Sequence, residues 1–117
     1  MTLVIIESPY AGDVEKNLRY LRAALADCLS RGEAPYASHA IYTQPGVLRD
    51  EVPEERRRGI EAGFAWGEVA PKRAFYEDRG WSTGMAYGYA EAWRLNLERG
   101  QTIEIRRLPE WAGEDGA

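Results

Sequence analysis

Leu3-Val4-Ile5-Ile6-Glu7-Ser8-Pro9-Tyr10-Ala11-Gly12-Asp13 decides the fold of this chain. Consecutive apolar residues, mostly β-branched, are what a central parallel strand requires, because both of its faces are covered and neither meets water. Ser8 to Gly12 then break the run, and Asp13 carries the short acceptor side chain of a helix N-cap. Val14, Leu18, Leu21, Leu25 and Leu29 follow at spacings of three and four, which predicts the buried stripe of a first helix. Gly32 ends that helix as a glycine just past the C-cap.

The same grammar recurs late in the chain. Lys72 to Glu77 reads as a strand, and Asp78-Arg79-Gly80-Trp81-Ser82-Thr83-Gly84-Met85 turns it into a helix running from about Ser82 to Arg99, with Gly100 as its stop. Between the two units, Ala34-Pro35-Tyr36-Ala37 allows only a short strand at an edge, since proline removes a ladder donor. Ser38 to Val52 shows no evident element and carries His39, Tyr42, Thr43, Gln44 and Asp50, as a binding loop or lid would. Pro53 at an N1 position opens a middle helix that passes Ile60 and stops at Gly67. Ile103 and Ile105 alternate with Glu104 and Arg106, which predicts a last strand with one well-buried face.

This order predicts an α/β fold: one three-layer sandwich, Rossmann-like or flavodoxin-like, around a small, mostly parallel sheet of four to five strands. Residues 1–109 form its single domain, and residues 110–117, with Gly113-Glu114-Asp115-Gly116, a flexible tail. With strand one between strands two and three, the strand order reverses beside it, and ligands of such sheets bind outside the carboxyl ends at that reversal. Two polar, glycine-containing turns meet there, Ser8 to Asp13 and Asp78 to Gly84. The second opens a helix, so its free N–H groups and the positive end of the helix dipole favour an anion. An aspartate at the preceding strand end is placed for a sugar hydroxyl or a proton.

Composition narrows the classes. The 117 residues are enough for one core. A balance of 15 basic against 19 acidic side chains, net −4, argues against a protein that coats duplex nucleic acid. Arg56, Arg57 and Arg58 follow Glu54 and Glu55 and read as a solvated helix face. Cys28 is the single cysteine, so no intrachain disulfide and no Cys/His metal cluster can form, and no cofactor is implied. The run before Glu7 is too short for a signal-peptide core or a membrane span, and a cytoplasmic location is expected.

Tyr10-Ala11-Gly12 followed far downstream by Asp78, Ser82, Gly84 and Ala92 resembles the nucleoside 2-deoxyribosyltransferase-like proteins, which include deoxynucleotide N-glycosidases. Ser8 to Gly12, Ala37-Ser38-His39, Thr43-Gln44-Pro45-Gly46 and Gly84-Met85 look like a short phage and prophage branch of unknown function, which would place the chain in a bacterial host's cytoplasm. The resemblance implies that the tyrosine and the aspartate hold the sugar, that the Ser-Gly helix start binds phosphate, and that a glutamate one turn into the late helix is the nucleophile. It also implies a homodimer or higher homo-oligomer. In this chain the glutamate's place falls at about Gly88, which has no side chain to attack C1′. Glu91 lies nearly a turn deeper. Gly84, Gly88 and Ala92 instead make a small-residue stripe that permits close packing.

The candidate catalytic residues are Glu7, Asp78 and His39. Glu7 with Asp78 would form a displaced carboxylate pair, and His39, the only histidine, titrates near neutrality but has no recognisable Ser or Cys partner in the sequence. The candidate ligand-binding residues are Ser8, Tyr10, Gly12, Trp81, Ser82, Thr83, Gly84 and Met85, with Trp81 placed to stack on a base. Three functions stay open: a protein that binds a nucleoside- or nucleotide-like molecule, such as a phage protein sequestering a nucleotide signal; an N-glycosidic bond hydrolase or deoxyribosyltransferase; and a structural oligomer.

Overall fold

A computed structural model describes residues 1–112. Strands β1 (Thr2–Glu7), β2 (Glu33–Tyr36), β3 (Lys72–Tyr76) and β4 (Thr102–Arg106) alternate with helices α1 (Val14–Ser30), α2 (Ser38–Ile41), α3 (Pro53–Gly67) and α4 (Thr83–Arg99). The sheet order is β2-β1-β3-β4 and every pairing is parallel. Right-handed crossovers then dictate the layers. The step from β1 to β2 runs one way across the sheet and the steps to β3 and β4 run the other, so α1 covers one face while α3 and α4 cover the opposite one.

Alternation along the strands sorts the side chains. Val4, Ile6, Ala74 and Tyr76 meet Tyr20, Leu21, Ala24 and Cys28 of α1 in the larger core. Phe75, with Met85 and Ala92 of α4, makes a smaller one flanked by Tyr89 and Ile103. The second core is small because two positions on that face are occupied by charges, Glu7 and Arg73.

Helix α1 is capped by Asp13, whose side chain accepts from Lys16 N–H at 3.1 Å. Its buried face is Asn17, Tyr20, Leu21, Ala24 and Cys28, which shares only Leu21 with the expected stripe. Leu29 is exposed, and Leu18 and Leu25 sit at the margin. Ala24 and Cys28 allow close approach to the sheet, and Tyr20 and Asn17 are held by hydrogen bonds, so of the leucines Leu21 shares the contact while Leu18 and Leu25 flank it.

The edge strand β4 also reverses expectation. Ile105 is 52% exposed while Arg106 is buried. Among the described residues Ile105 is left largely uncovered at the edge, whereas Arg106 lies over the Tyr76 ring, 5.7 Å from its centroid, and makes a bidentate pair with Glu33 at 2.7 and 2.8 Å. Lys72 adds bonds to Glu33 at 3.1 Å and Glu104 at 3.0 Å. Two carboxylates and two cations thus close a neutral network across β2, β3 and β4. The hydrogen bonds from Arg106 hold the Glu33 carboxyl down to about 2.

The connection after β2 contains an element that the sequence did not announce, the four-residue helix α2. Beyond Leu108 the chain makes a 3-10 turn over Pro109–Trp111, and Trp111 packs edge-on against Tyr20 at 5.0 Å. Of the tail expected over 110–117, residues 113–117 lie outside the described residues. No helix among those described is long and apolar enough to cross a membrane.

Candidate functional site

Glu7 ends β1 and Arg73 is the second residue of β3. The register sets Ile5 beside Arg73 and Glu7 beside Phe75, so Glu7 and Arg73 are diagonal neighbours on the face covered by α3 and α4. Arg73 Nη1 donates to Glu7 Oε2 at 2.9 Å, and the arginine side chain is 1% exposed. Glycines make room for the pair. A Cβ added at Gly88 of α4 would stand 2.7 Å from Glu7 Cδ and nearer still to Oε2, and one at Gly67 of α3 would collide with Arg73 Nη2. Arg73 Nε and Nη2 are buried with no hydrogen-bond partner among the described residues. Burial pushes the Glu7 carboxyl up to about 7 although Arg73 pulls it down.

Above this pair lies a cavity of about 110 Å³ outside the carboxyl ends of β1 and β3. Ser8 and Tyr10 line it from the first turn, Ser82, Gly84 and Met85 from the start of α4, and His39 from α2. Ser8 Oγ and His39 Nε2 are 2.9 Å apart, so the histidine has a serine partner after all. Burial lowers the imidazole to about 4, which leaves it neutral near pH 7. Ser82 caps α4 by accepting from Met85 N–H at 3.1 Å.

Two devices hold these walls. Asn17 donates to the carbonyls of Tyr10 and Ala11 at 3.0 and 3.1 Å and accepts from Arg79 Nε at 2.8 Å, which locks the two strand-to-helix turns together. On the other side, Gly59 and Gly63 of α3 receive Leu48 and Ser38, so the segment carrying His39 lies directly on the helix backbone. Arg49 bonds Glu55 through its side chain at 2.7 and 3.0 Å and through its own N–H at 2.7 Å, tying that segment to the first turn of α3.

Of the residues singled out in the sequence, Glu7, Ser8, Tyr10, His39, Ser82, Gly84 and Met85 come together around one cavity. Thr83 faces an adjoining hollow. Asp78 points to the other side of the sheet, where its Oδ2 accepts from Tyr20 at 2.7 Å and from Leu108 N–H at 2.9 Å, so it does not pair with Glu7. Trp81 stacks on Phe75 at 5.1 Å, meets Tyr89 edge-on and donates to Glu77. Gly12, at φ +97°, shapes the turn before Asp13 and has open space around it.

Sequence reasoning passed over Arg73, Asn17 and Arg79. Arg73 left one signal, a charge inside a strand otherwise fit for burial. Among the described residues no group of three His, Cys, Asp or Glu side chains converges as a metal site.

The two titratable groups of the cavity bias stability in opposite directions. Between pH 4.5 and about 7 the folded chain keeps a Glu7 proton that the unfolded chain has lost, so stability falls as pH rises. Between about 4 and 6.5 the unfolded chain holds a His39 proton that the folded ring lacks, so stability rises with pH. Glu7→Gln should therefore give urea midpoints that climb from pH 4.5 to 6.5 relative to the parent chain, and His39→Gln midpoints that decline over the same interval. Parallel curves for the two variants would contradict this assignment.

Comparison with curated proteins and with solved structures returns no match. A family model does match, over residues 2–101, and its description is a domain of unknown function, DUF7768. The matched span runs from β1 through α4 and takes in every residue that lines the cavity. The chain belongs to the DUF7768 family of domains of unknown function.

Proposed function

We propose that this chain binds a nucleoside- or nucleotide-like small molecule at the carboxyl ends of β1 and β3. The observation that carries this reading is the meeting, in one cavity, of the first turn of α4 with the Glu7 carboxylate and Arg73. Free N–H groups of a helix start suit a phosphate, and the partly buried Glu7 carboxylate beside them suits sugar hydroxyls. The position of the cavity at the reversal of strand order supports it as well, as does the resemblance to nucleoside 2-deoxyribosyltransferase-like proteins. Nucleotides should raise the melting temperature more than the matching nucleosides, because a ligand of the native state stabilises it by linkage. Gly84→Asp should abolish the difference while leaving the fold intact. Its Cβ would meet only Ser82 Oγ at 3.8 Å, and an acid in a first helical turn is favourable. Equal shifts for both ligand types would move the phosphate elsewhere.

A second reading, cleavage of an N-glycosidic bond, is favoured by the location of Glu7. Its carboxylate lies where a side chain at Gly88 would be, so a carboxylate from the strand takes the space left empty on the helix. A carboxyl raised to about 7 can give a proton to the departing base as the C1′–N bond breaks, and in its ionised form can take one from the water that adds to C1′. If the chain only sequesters its ligand, no free base accumulates when it is incubated with deoxynucleotides. Repeated turnover seen by chromatography, and lost in Glu7→Gln, would make it a hydrolase.

Self-association belongs to the same proposal. Trp81, Trp93, Leu97 and Ile105 are large apolar residues left exposed on or beside α4 and β4, and such surface is commonly covered by a second copy. Light scattering at tens of micromolar should give at least a dimer mass; a monomer would refute the association.

A further inference from the structure

The cavity that contains Glu7 is too small for a whole nucleoside. Its volume is about 110 Å³, against roughly 300 Å³ at the lower end for pockets that enclose organic ligands. A second hollow of about 520 Å³ adjoins it, and Asp50, Arg56, Ile60 and Phe64 line both. A ligand touching Glu7 must therefore continue past Arg56 into the outer hollow.

The wall of that outer hollow includes Thr83 and Tyr87, one turn apart on α4. Tyr87 is 54% exposed and has neither a ring partner nor a side-chain hydrogen bond among the described residues. Trp81, in contrast, is already stacked on Phe75 and Tyr89. The charged residues of the outer hollow, Asp50 and Glu51 against Arg56 and Arg57, sum to zero, which suits an uncharged heterocycle better than a chain of phosphates.

We infer that the outer hollow is the base subsite, with the heterocycle stacked on Tyr87 and its polar edge facing Asp50 and Arg56, the sugar in the inner cavity and the phosphate at Ser82 to Gly84. The inference rests on the nucleotide-binding reading above and adds where the base goes and which side chain selects it. An aromatic face accepts any base by stacking, so Tyr87 supplies affinity, while Asp50 and Arg56 supply an acceptor and donors for discrimination.

The test is calorimetric titration of the parent chain, Tyr87→Ala and Tyr87→Phe with nucleoside 5′-monophosphates and with ribose 5-phosphate, which has no base. Tyr87→Ala should weaken the monophosphates by about 10-fold, leave ribose 5-phosphate unchanged, and be reversed by Tyr87→Phe, which keeps the ring. Because Tyr87 is exposed, the variants should retain the circular dichroism of the parent. Loss of both ligands to the same degree would make Tyr87 a support of the inner cavity, and no effect on either would put the base elsewhere; both outcomes overturn the inference and spare the nucleotide reading. Failure of the parent chain to bind any of these ligands at millimolar concentration would overturn both.

Discussion

Everything on the α3 and α4 face of the sheet depends on one buried ion pair, Glu7 with Arg73. Removing two charges from water is costly, and a pair of this kind is often no more stabilising than apolar residues of the same volume. Two glycines accommodate it, Gly67 at the end of α3 and Gly88 within α4, and the second weakens its helix by roughly 1 kcal/mol relative to alanine. Any side chain at either glycine would collide with the pair. The face instead keeps a carboxylate poised to change charge near neutral pH, a guanidinium with spare donors, and a cavity above them.

The opposite face shows what a purely architectural charge network looks like in the same protein. Arg106, Glu33, Lys72 and Glu104 each have an oppositely charged partner, and Arg106 engages Glu33 through both of its terminal nitrogens. Glu33 is driven to stay ionised. Among the described residues Arg73 makes one ion pair and leaves Nε and Nη2 without partners in a buried place. An under-satisfied buried guanidinium in a cavity wall is the rarer condition and the more informative one, since low polarity makes each unmade bond expensive.

How far the site could be read from the chain varies residue by residue. Ser82 and Asp13 were legible as caps because capping is a local interaction within four residues. Ser8 and His39 are 31 positions apart, and their contact exists only because α2 lies against the glycine face of α3. Asp78 shows the converse. Its position at a strand end was read correctly, but the side on which its carboxylate emerges was set by Tyr20, 58 residues away. The leucine stripe of α1 was only part of its buried face for a related reason: periodicity reports where apolar residues lie on a helix, while close approach to a sheet also favours small ones such as Ala24 and Cys28.

The sequence by itself determined the order of the four strands and the three long helices, the central place of Leu3 to Ile6, the edge place of the Pro35 strand and the glycine stops after α1 and α4. These follow from local torsional preference and from the period of the hydrophobic pattern, which act over a few residues. Only the tertiary structure decided that Glu7 meets Arg73, that Gly88 is the space the Glu7 carboxylate fills, that Arg106 turns inward while Ile105 turns out, and that Tyr87 rather than Trp81 is left with a free ring. Each of those outcomes is a contact between distant positions, settled by which faces the right-handed crossovers press together, and so no stretch of neighbouring residues contains it.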